Sequence, residues 1–196
     1  MTRRFVILAA AAALLAGAGQ AQAQKYFDFL NGGTSFYGGD RRFSPGDVSP
    51  IPRTGVYYPS NYAPGTIVIN TAERRLYLVQ PGGTALRYGI GVGGRDGFRW
   101  SGVHHISAKR EWPDWTPPAE MRRRRPDLPS YMEGGIENPL GARALYLGST
   151  LYRIHGSNEP ETIGQAVSSG CFRMTNEDVV DLYDRVSVGT TVVVKN

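Results

Sequence analysis

From Gly65 onward the chain consists of short β-prone runs, each ended by residues that break strands. TIVINT (66–71), RRLYLVQ (74–80) and LRYGIGVG (86–93) are separated by Asn70-Thr71-Ala72-Glu73 and by Pro81-Gly82-Gly83. Runs this short, rich in β-branched and aromatic residues and bounded by turn formers, predict a meander of strands. VHHISAKREW (103–112), RALYLG (143–148), LYRIHG (151–156) and TTVVVK (190–195) continue the pattern. Only one segment has a convincing helical period. Thr175-Asn176-Glu177-Asp178 fits a capping box with Thr175 as N-cap. Val179, Leu182, Tyr183 and Val186 then recur at i, i+3, i+4 and i+7, and Gly189 is placed to end the helix. The expectation is a mainly β, sandwich-like domain with one late amphipathic α-helix.

Two stretches do not share this texture. Pro113 to Pro139 is repeatedly interrupted by proline and reads as a long loop; long loops in compact domains are often functional, so it is expected to wall a substrate groove. Residues 24–62 are rich in Gly, Pro, Ser and Tyr without a period of 2 or 3.6, and read as a flexible linker or surface arm. Residues 1–23 are different again. Arg3 and Arg4 precede an apolar run from Phe5 to Ala16, and Ala21-Gln22-Ala23 is a small-x-small cleavage site. That is the pattern of a secretory signal peptide, too short and wrongly flanked for a spanning helix. The division expected is therefore 1–23 signal peptide, 24–62 linker or arm, and 63–196 one folded domain. The mature protein is expected in the periplasm or cell envelope without membrane insertion.

Removing residues 1–23 takes away two arginines and no acid, so the formal charge falls from +5 to +3. A mildly basic protein suits an anionic envelope but does not call for nucleic acid, which asks for a denser basic patch. The run Arg122 to Arg125 lies between Glu120 and Asp127 and reads as a solvated loop, with contact to anionic glycan or stem-peptide carboxylates as the alternative.

The chain has one cysteine, Cys171, and in an oxidising compartment it has no intramolecular partner. Burial as a small hydrophobe, a bridge between chains, and a nucleophile are the three readings. The surrounding Ser168-Ser169-Gly170-Cys171-Phe172-Arg173 favours the third. Small residues leave the sulfur accessible, and Gly170 permits a sharp turn. The N–H groups of Ser169, Gly170 and Cys171 could converge on a developing oxyanion. A thiol also needs a base, and His155 ends a strand at a point where it can face a cleft. His104 and His105 are adjacent on one strand, face opposite ways and are read as structural. One cysteine and separated histidines do not give metal-ligand spacing, and no metal or other cofactor is expected.

The segment IHGSNEP…GQAVSSGCFRM, with Cys171 sixteen positions after His155, closely resembles the L,D-transpeptidase (YkuD-type) catalytic domain; ENPLGARALYLG and EWPDWTPPAEM resemble upstream segments of that family. The resemblance spans about residues 64–195. It implies a β-sandwich of mixed sheets and a peptidoglycan substrate. It implies Cys171 as nucleophile, His155 as general base, the Gly156 carbonyl as the group orienting the imidazole, and Ser169, Gly170 and Cys171 as oxyanion donors. Arg173 matches the family arginine and is assigned to holding the turn or a substrate carboxylate. Where many members carry a second histidine this chain has Ser169. The implied activity is an acyl transfer through a Cys thioester at meso-diaminopimelate, forming 3→3 cross-links or attaching other amines, with an envelope lipoprotein as one acceptor. An L,D-carboxypeptidase or cysteine amidase on the same scaffold, or a noncatalytic peptidoglycan-binding module, are the alternatives.

Overall fold

The computed structural model describes residues 49–94 and 100–196. The signal peptide and residues 24–48 of the expected linker lie outside the described residues. Within them the strands are β1 (Thr54–Tyr57), β2 (Ile67–Asn70), β3 (Arg75–Gln80), β4 (Thr84–Gly89), β5 (Val92–Gly93) and β6 (Gly102–Glu111). A short helix α1 (Ala119–Arg124) follows, then β7 (Arg143–Leu147), β8 (Arg153–His155), β9 (Ala166–Ser168), β10 (Phe172–Arg173), helix α2 (Asn176–Arg185) and β11 (Thr191–Lys195). The described fold is mainly β.

The long sheet runs β1-β4-β3-β2-β11-β6-β7-β8-β10. It is mixed: β11 is parallel to β2 and β10 is parallel to β8, whereas the hairpins are antiparallel. β6 joins its two halves. Residues 102–105 pair with β11 and residues 106–111 with β7, and the register shifts between Ile106 and Ala108. Such a bulge bends a strand and increases its twist, which lets one strand serve two sheet faces. Ile67, Ile69, Leu76 and Leu78 from one half and Leu145, Leu147, Ile154 and Phe172 from the other accordingly fill one core with Val179 and Leu182 of α2.

Helix α2 begins where the capping box placed it. Thr175 is extended, and its hydroxyl accepts the Asp178 N–H at 3.3 Å. The helix stops at Arg185, before Gly189. Lys109 Nζ, from β6, donates to the carbonyls of Tyr183 at 2.6 Å and Val186 at 2.7 Å, and a cation at this end complements the helix dipole. The inward face of α2 also carries two acids that the apolar stripe did not announce. Asp181 accepts from Tyr88 Oη at 2.6 Å and pairs with Arg185, while Arg53 reaches Asp178 at 3.2 Å and Asp181 at 3.4 Å.

Arg53 belongs to the stretch expected to be linker or arm, and here the structure differs from expectation. Residues 54–57 form β1 and pair antiparallel with β4. Ile51 sits so close to Gly89 that a Cβ on that glycine would lie 2.6 Å from the Ile51 Cβ. A four-residue strand near Pro52 and Pro59 is too short to show a period. It forms because β4 offers a free edge, and Arg53 anchors it to two buried carboxylates. The proline-rich stretch likewise contains the six-residue α1, no residue of which is buried.

Candidate functional site

β8 and β10 run parallel, with Phe172 opposite Ile154 and Arg173 opposite His155. Because successive side chains on a strand alternate in direction, this register separates two sets of residues. Ile154 and Phe172 point into the core, at 0% and 2% exposure. Arg153, His155, Cys171 and Arg173 share the other face. The parallel pairing thus puts the two chemically reactive residues on one face, diagonally across the strand pair, with Arg173 opposite His155, although sixteen positions separate them.

His155 is buried, and its Nδ1 lies 2.6 Å from the Gly156 carbonyl oxygen. A carbonyl only accepts, so Nδ1 carries the proton and Nε2 is left with its lone pair. Burial depresses the imidazole pKa to about 3; the charges of Arg173 and Arg153 push the same way, and the Gly156 carbonyl opposes them. At neutral pH the ring is therefore neutral, oriented and able to take a proton at Nε2. The Gly156 carbonyl is thus the group that orients the His155 ring.

Cys171 is half-buried, and its Sγ lies 3.8 Å from the Leu151 carbonyl. Burial pushes the thiol pKa up; the Arg153 charge, the Arg153 backbone N–H and then the Arg173 charge counter it. The resting groups are a neutral thiol and a neutral imidazole on the same face, and proton transfer must accompany attack. Arg153 was not singled out from sequence. A cation two residues before a strand-end histidine shares its face, and that spacing was the available signal.

The turn before Cys171 is held from several sides. Ser168 Oγ donates to the Cys171 carbonyl at 2.6 Å and accepts the Gly170 N–H at 3.2 Å. Gly170 has φ +107°, a left-handed conformation that a side chain would strain. Trp100 Nε1 donates to the Gly170 carbonyl at 3.2 Å, and its ring stacks on Tyr152 with centroids 4.6 Å apart. In a trans peptide the C=O and the following N–H point opposite ways. Trp100 therefore fixes the direction of the Cys171 N–H by holding the Gly170 carbonyl. Of the three expected oxyanion donors, Gly170 already donates within the turn. Ser169 is exposed, and Ser168 provides the side-chain bonds.

Arg173 is committed twice. Its backbone exchanges hydrogen bonds with Gly91 at 2.9 and 3.0 Å, and its guanidinium lies 2.7 Å from Glu159 Oε2. Of its two expected roles, holding the turn is the one these contacts serve. The register continues from Arg153 to Tyr146 on β7 and to Ala108 on β6. This row leads from Cys171 to a cleft of about 290 Å³ lined by Arg110, Glu111, Trp112, Pro113, Asp114 and Tyr146. The start of the proline-rich stretch thus walls an open groove. His104 sits edge-on to Trp100 at 4.9 Å, and His105 on the adjoining position faces the opposite way.

The family model for the L,D-transpeptidase catalytic domain matches residues 64–194. Over 134 residues the chain is 42% identical to the Escherichia coli (strain K12) protein named "Probable L,D-transpeptidase ErfK/SrfK", an alignment covering 64% of this chain and 42% of that protein. It is 44% identical over 135 residues to "Probable L,D-transpeptidase YbiS" of the same organism, covering 64% and 43%. The chain thus spans less than half the length of these relatives. Among solved structures, an L,D-transpeptidase from Mycobacterium smegmatis superposes with a TM-score of 0.53 at 17% identity, covering 67% of this chain and 58% of that one. The catalytic domain of the Enterococcus faecium (E. faecium) L,D-transpeptidase superposes with a TM-score of 0.52 at 19% identity, covering 69% and 100%. At these identities the structural likeness concerns the fold.

Proposed function

The chain belongs to the L,D-transpeptidase catalytic domain family, and on that premise we propose that it is a cysteine acyltransferase acting on peptidoglycan stem peptides in the periplasm. One observation carries the reading. The parallel β8–β10 register sets His155, oriented by the Gly156 carbonyl, on the same face as Cys171.

The proposed reaction uses these groups as follows. Cys171 Sγ attacks the carbonyl of the third stem residue, meso-diaminopimelate, as its proton passes to His155 Nε2. The Cys171 N–H, aimed by the held Gly170 carbonyl, stabilises the oxyanion; removing one such donor typically costs about 10²–10³-fold in rate. The C–N bond to the terminal D-alanine breaks, and its nitrogen takes the proton from His155. An amine then attacks the thioester and gives a proton to the same nitrogen, and collapse returns that proton to Sγ. With the side-chain amine of a second diaminopimelate the product is a 3→3 cross-link; with a lipoprotein amine it is an attachment. With water the activity is that of an L,D-carboxypeptidase. Arg173 holds the turn through Gly91 and Glu159.

The test is to incubate residues 24–196 with disaccharide-tetrapeptides and follow products by mass, with Cys171→Ala alongside. A cross-linked dimer that has lost one D-alanine, formed only by the unmutated protein, is the expected result. A monomer lighter by one D-alanine would replace transfer by hydrolysis, and turnover by Cys171→Ala would refute the nucleophile.

A further inference from the structure

Two guanidinium groups flank the thiol, and they differ in what they are free to do. Arg173 is held by a carboxylate at 2.7 Å. Arg153 has no carboxylate within ion-pair distance among the described residues. Its Nε is buried without a hydrogen-bond partner. Its guanidinium carbon lies 5.2 Å from the Tyr146 ring centroid, directly across the β7–β8 pair. A cation over a ring face is held in place without being neutralised. The Tyr146 ring, which lines the groove, thus fixes Arg153 next to it, and its charge stays available. A planar guanidinium with unused donors is matched to a carboxylate, which it can grip with two parallel hydrogen bonds.

Position adds a second argument. Extending the β8–β10 register by one residue places Arg153 beside Cys171. Neighbouring strands are about 4.8 Å apart, and one residue of extended peptide spans roughly 3.3–3.6 Å. A substrate carbonyl at Sγ therefore brings a carboxylate one residue away within reach of Arg153. Resting on the function proposed above, we propose that Arg153, backed by Tyr146, binds a substrate carboxylate adjoining the scissile bond, and that Arg173 does not. The ligand class is a peptide with a free carboxylate at that position. In a tetrapeptide stem the terminal D-alanine carboxylate lies one residue from the scissile carbonyl, and the free carboxylate of diaminopimelate, at the end of the attacked residue's own side chain, is the competing candidate.

The experiment measures binding in the Cys171→Ala protein, where no chemistry intervenes. Calorimetry compares a tetrapeptide stem with two versions, one amidated at the terminal D-alanine and one at the diaminopimelate carboxylate. Hydrogen bonds to charged groups predict that amidating the recognised carboxylate weakens binding roughly ten- to hundred-fold, and the affected version identifies which carboxylate is held. Adding Arg153→Met should bring the acid down to the affinity of that amide, and Arg153→Lys should give an intermediate ratio. Arg173→Met should leave the ratio unchanged. Equal affinity for the acid and both amides would overturn the proposal, as would an unchanged ratio in Arg153→Met or a collapsed ratio in Arg173→Met. Should Arg153→Met not fold, Arg153→Lys and the amide comparison still decide. Turnover by the unmutated protein with no acid–amide difference would remove this inference alone. An acid–amide difference without turnover would remove the enzymatic reading and leave the carboxylate site.

Discussion

Substituting Gly156 by alanine tests whether the backbone beside His155 is as tightly specified as the structure implies. A Cβ at this position would lie 2.3 Å from Asn176 Oδ1, 3.0 Å from the Ala142 nitrogen and 3.2 Å from the Gly141 Cα. None of these is a free side-chain end. Asn176 is 4% exposed, and its Oδ1 accepts the Ala142 N–H at 2.8 Å. Atoms in ordinary contact sit about 3.5 Å apart, so relief needs a movement on the order of 1 Å. Overpacking of this kind costs about 1–3 kcal/mol. The same movement shifts the Gly156 carbonyl, which orients His155 at 2.6 Å, and a 1 Å misplacement can cost about 10²-fold in rate. Gly156→Ala should therefore lose about 1–3 kcal/mol in urea unfolding and about 10²-fold in kcat on the tetrapeptide, with a smaller change in KM. Adding Asn176→Ala makes room for the methyl, so the double variant should be less destabilised than the two single losses added together. A Gly156→Ala protein with unchanged kcat and unchanged stability would refute the argument that this backbone is held from both sides.

Further outcomes can be checked with the same material. Iodoacetamide alkylation of Cys171 should show a midpoint above the ordinary thiol value of about 8.5, and Arg153→Met, which removes the largest opposing charge, should move it higher still; a midpoint below that value would contradict the buried neutral thiol. Trp100→Phe retains the stacking on Tyr152 but deletes the N–H to Gly170, so kcat should fall about tenfold or more with little change in melting temperature; a loss confined to stability would make Trp100 structural only. His155 and Asp178 should give opposite acid responses. The folded His155 pKa, depressed to about 3, makes stability present above pH 6.5 drain away as pH falls towards that value, at up to about 1.4 kcal/mol per pH unit. Asp178, raised to about 7 mainly by burial, stabilises fully below its ordinary value near 4 and loses that contribution as pH rises through 7. Between pH 6 and pH 4, His155→Gln should thus lose less stability than the unmutated protein and Asp178→Asn should lose more. Parallel pH curves for all three would reject both shifts.

Much of the local structure around the candidate site was legible because its signals are local. The capping box at Thr175 depends on four consecutive residues, and the structure shows the bond it specifies. The turn at Gly170 depends on one glycine, and its φ is left-handed. The β character of 66–93, 103–112 and 143–156 follows from residue type and turn punctuation, both read without knowing any partner. The resemblance that marked Cys171, His155 and Gly156 rested on short motifs at a fixed spacing.

What the sequence could not determine depends on which strand lies beside which. Nothing local says that TGVY at 54–57 is a strand; it becomes one because β4 has an open edge and Arg53 meets Asp178 and Asp181. Nothing local separates Arg153 from Arg173 either. Both are arginines near the thiol, and only the folded chain places Glu159 against one and Tyr146 beneath the other. That the Ser168 hydroxyl bonds both the Cys171 carbonyl and the Gly170 N–H depends on how the turn at Gly170 is set, and Trp100 helps to hold that turn from another part of the chain. The sequence by itself determined the kinds of groups present and the local conformations that carry them. Tertiary structure alone decided which charges are neutralised and which are left open, because charge pairing depends on distances of a few ångströms between residues far apart in the chain.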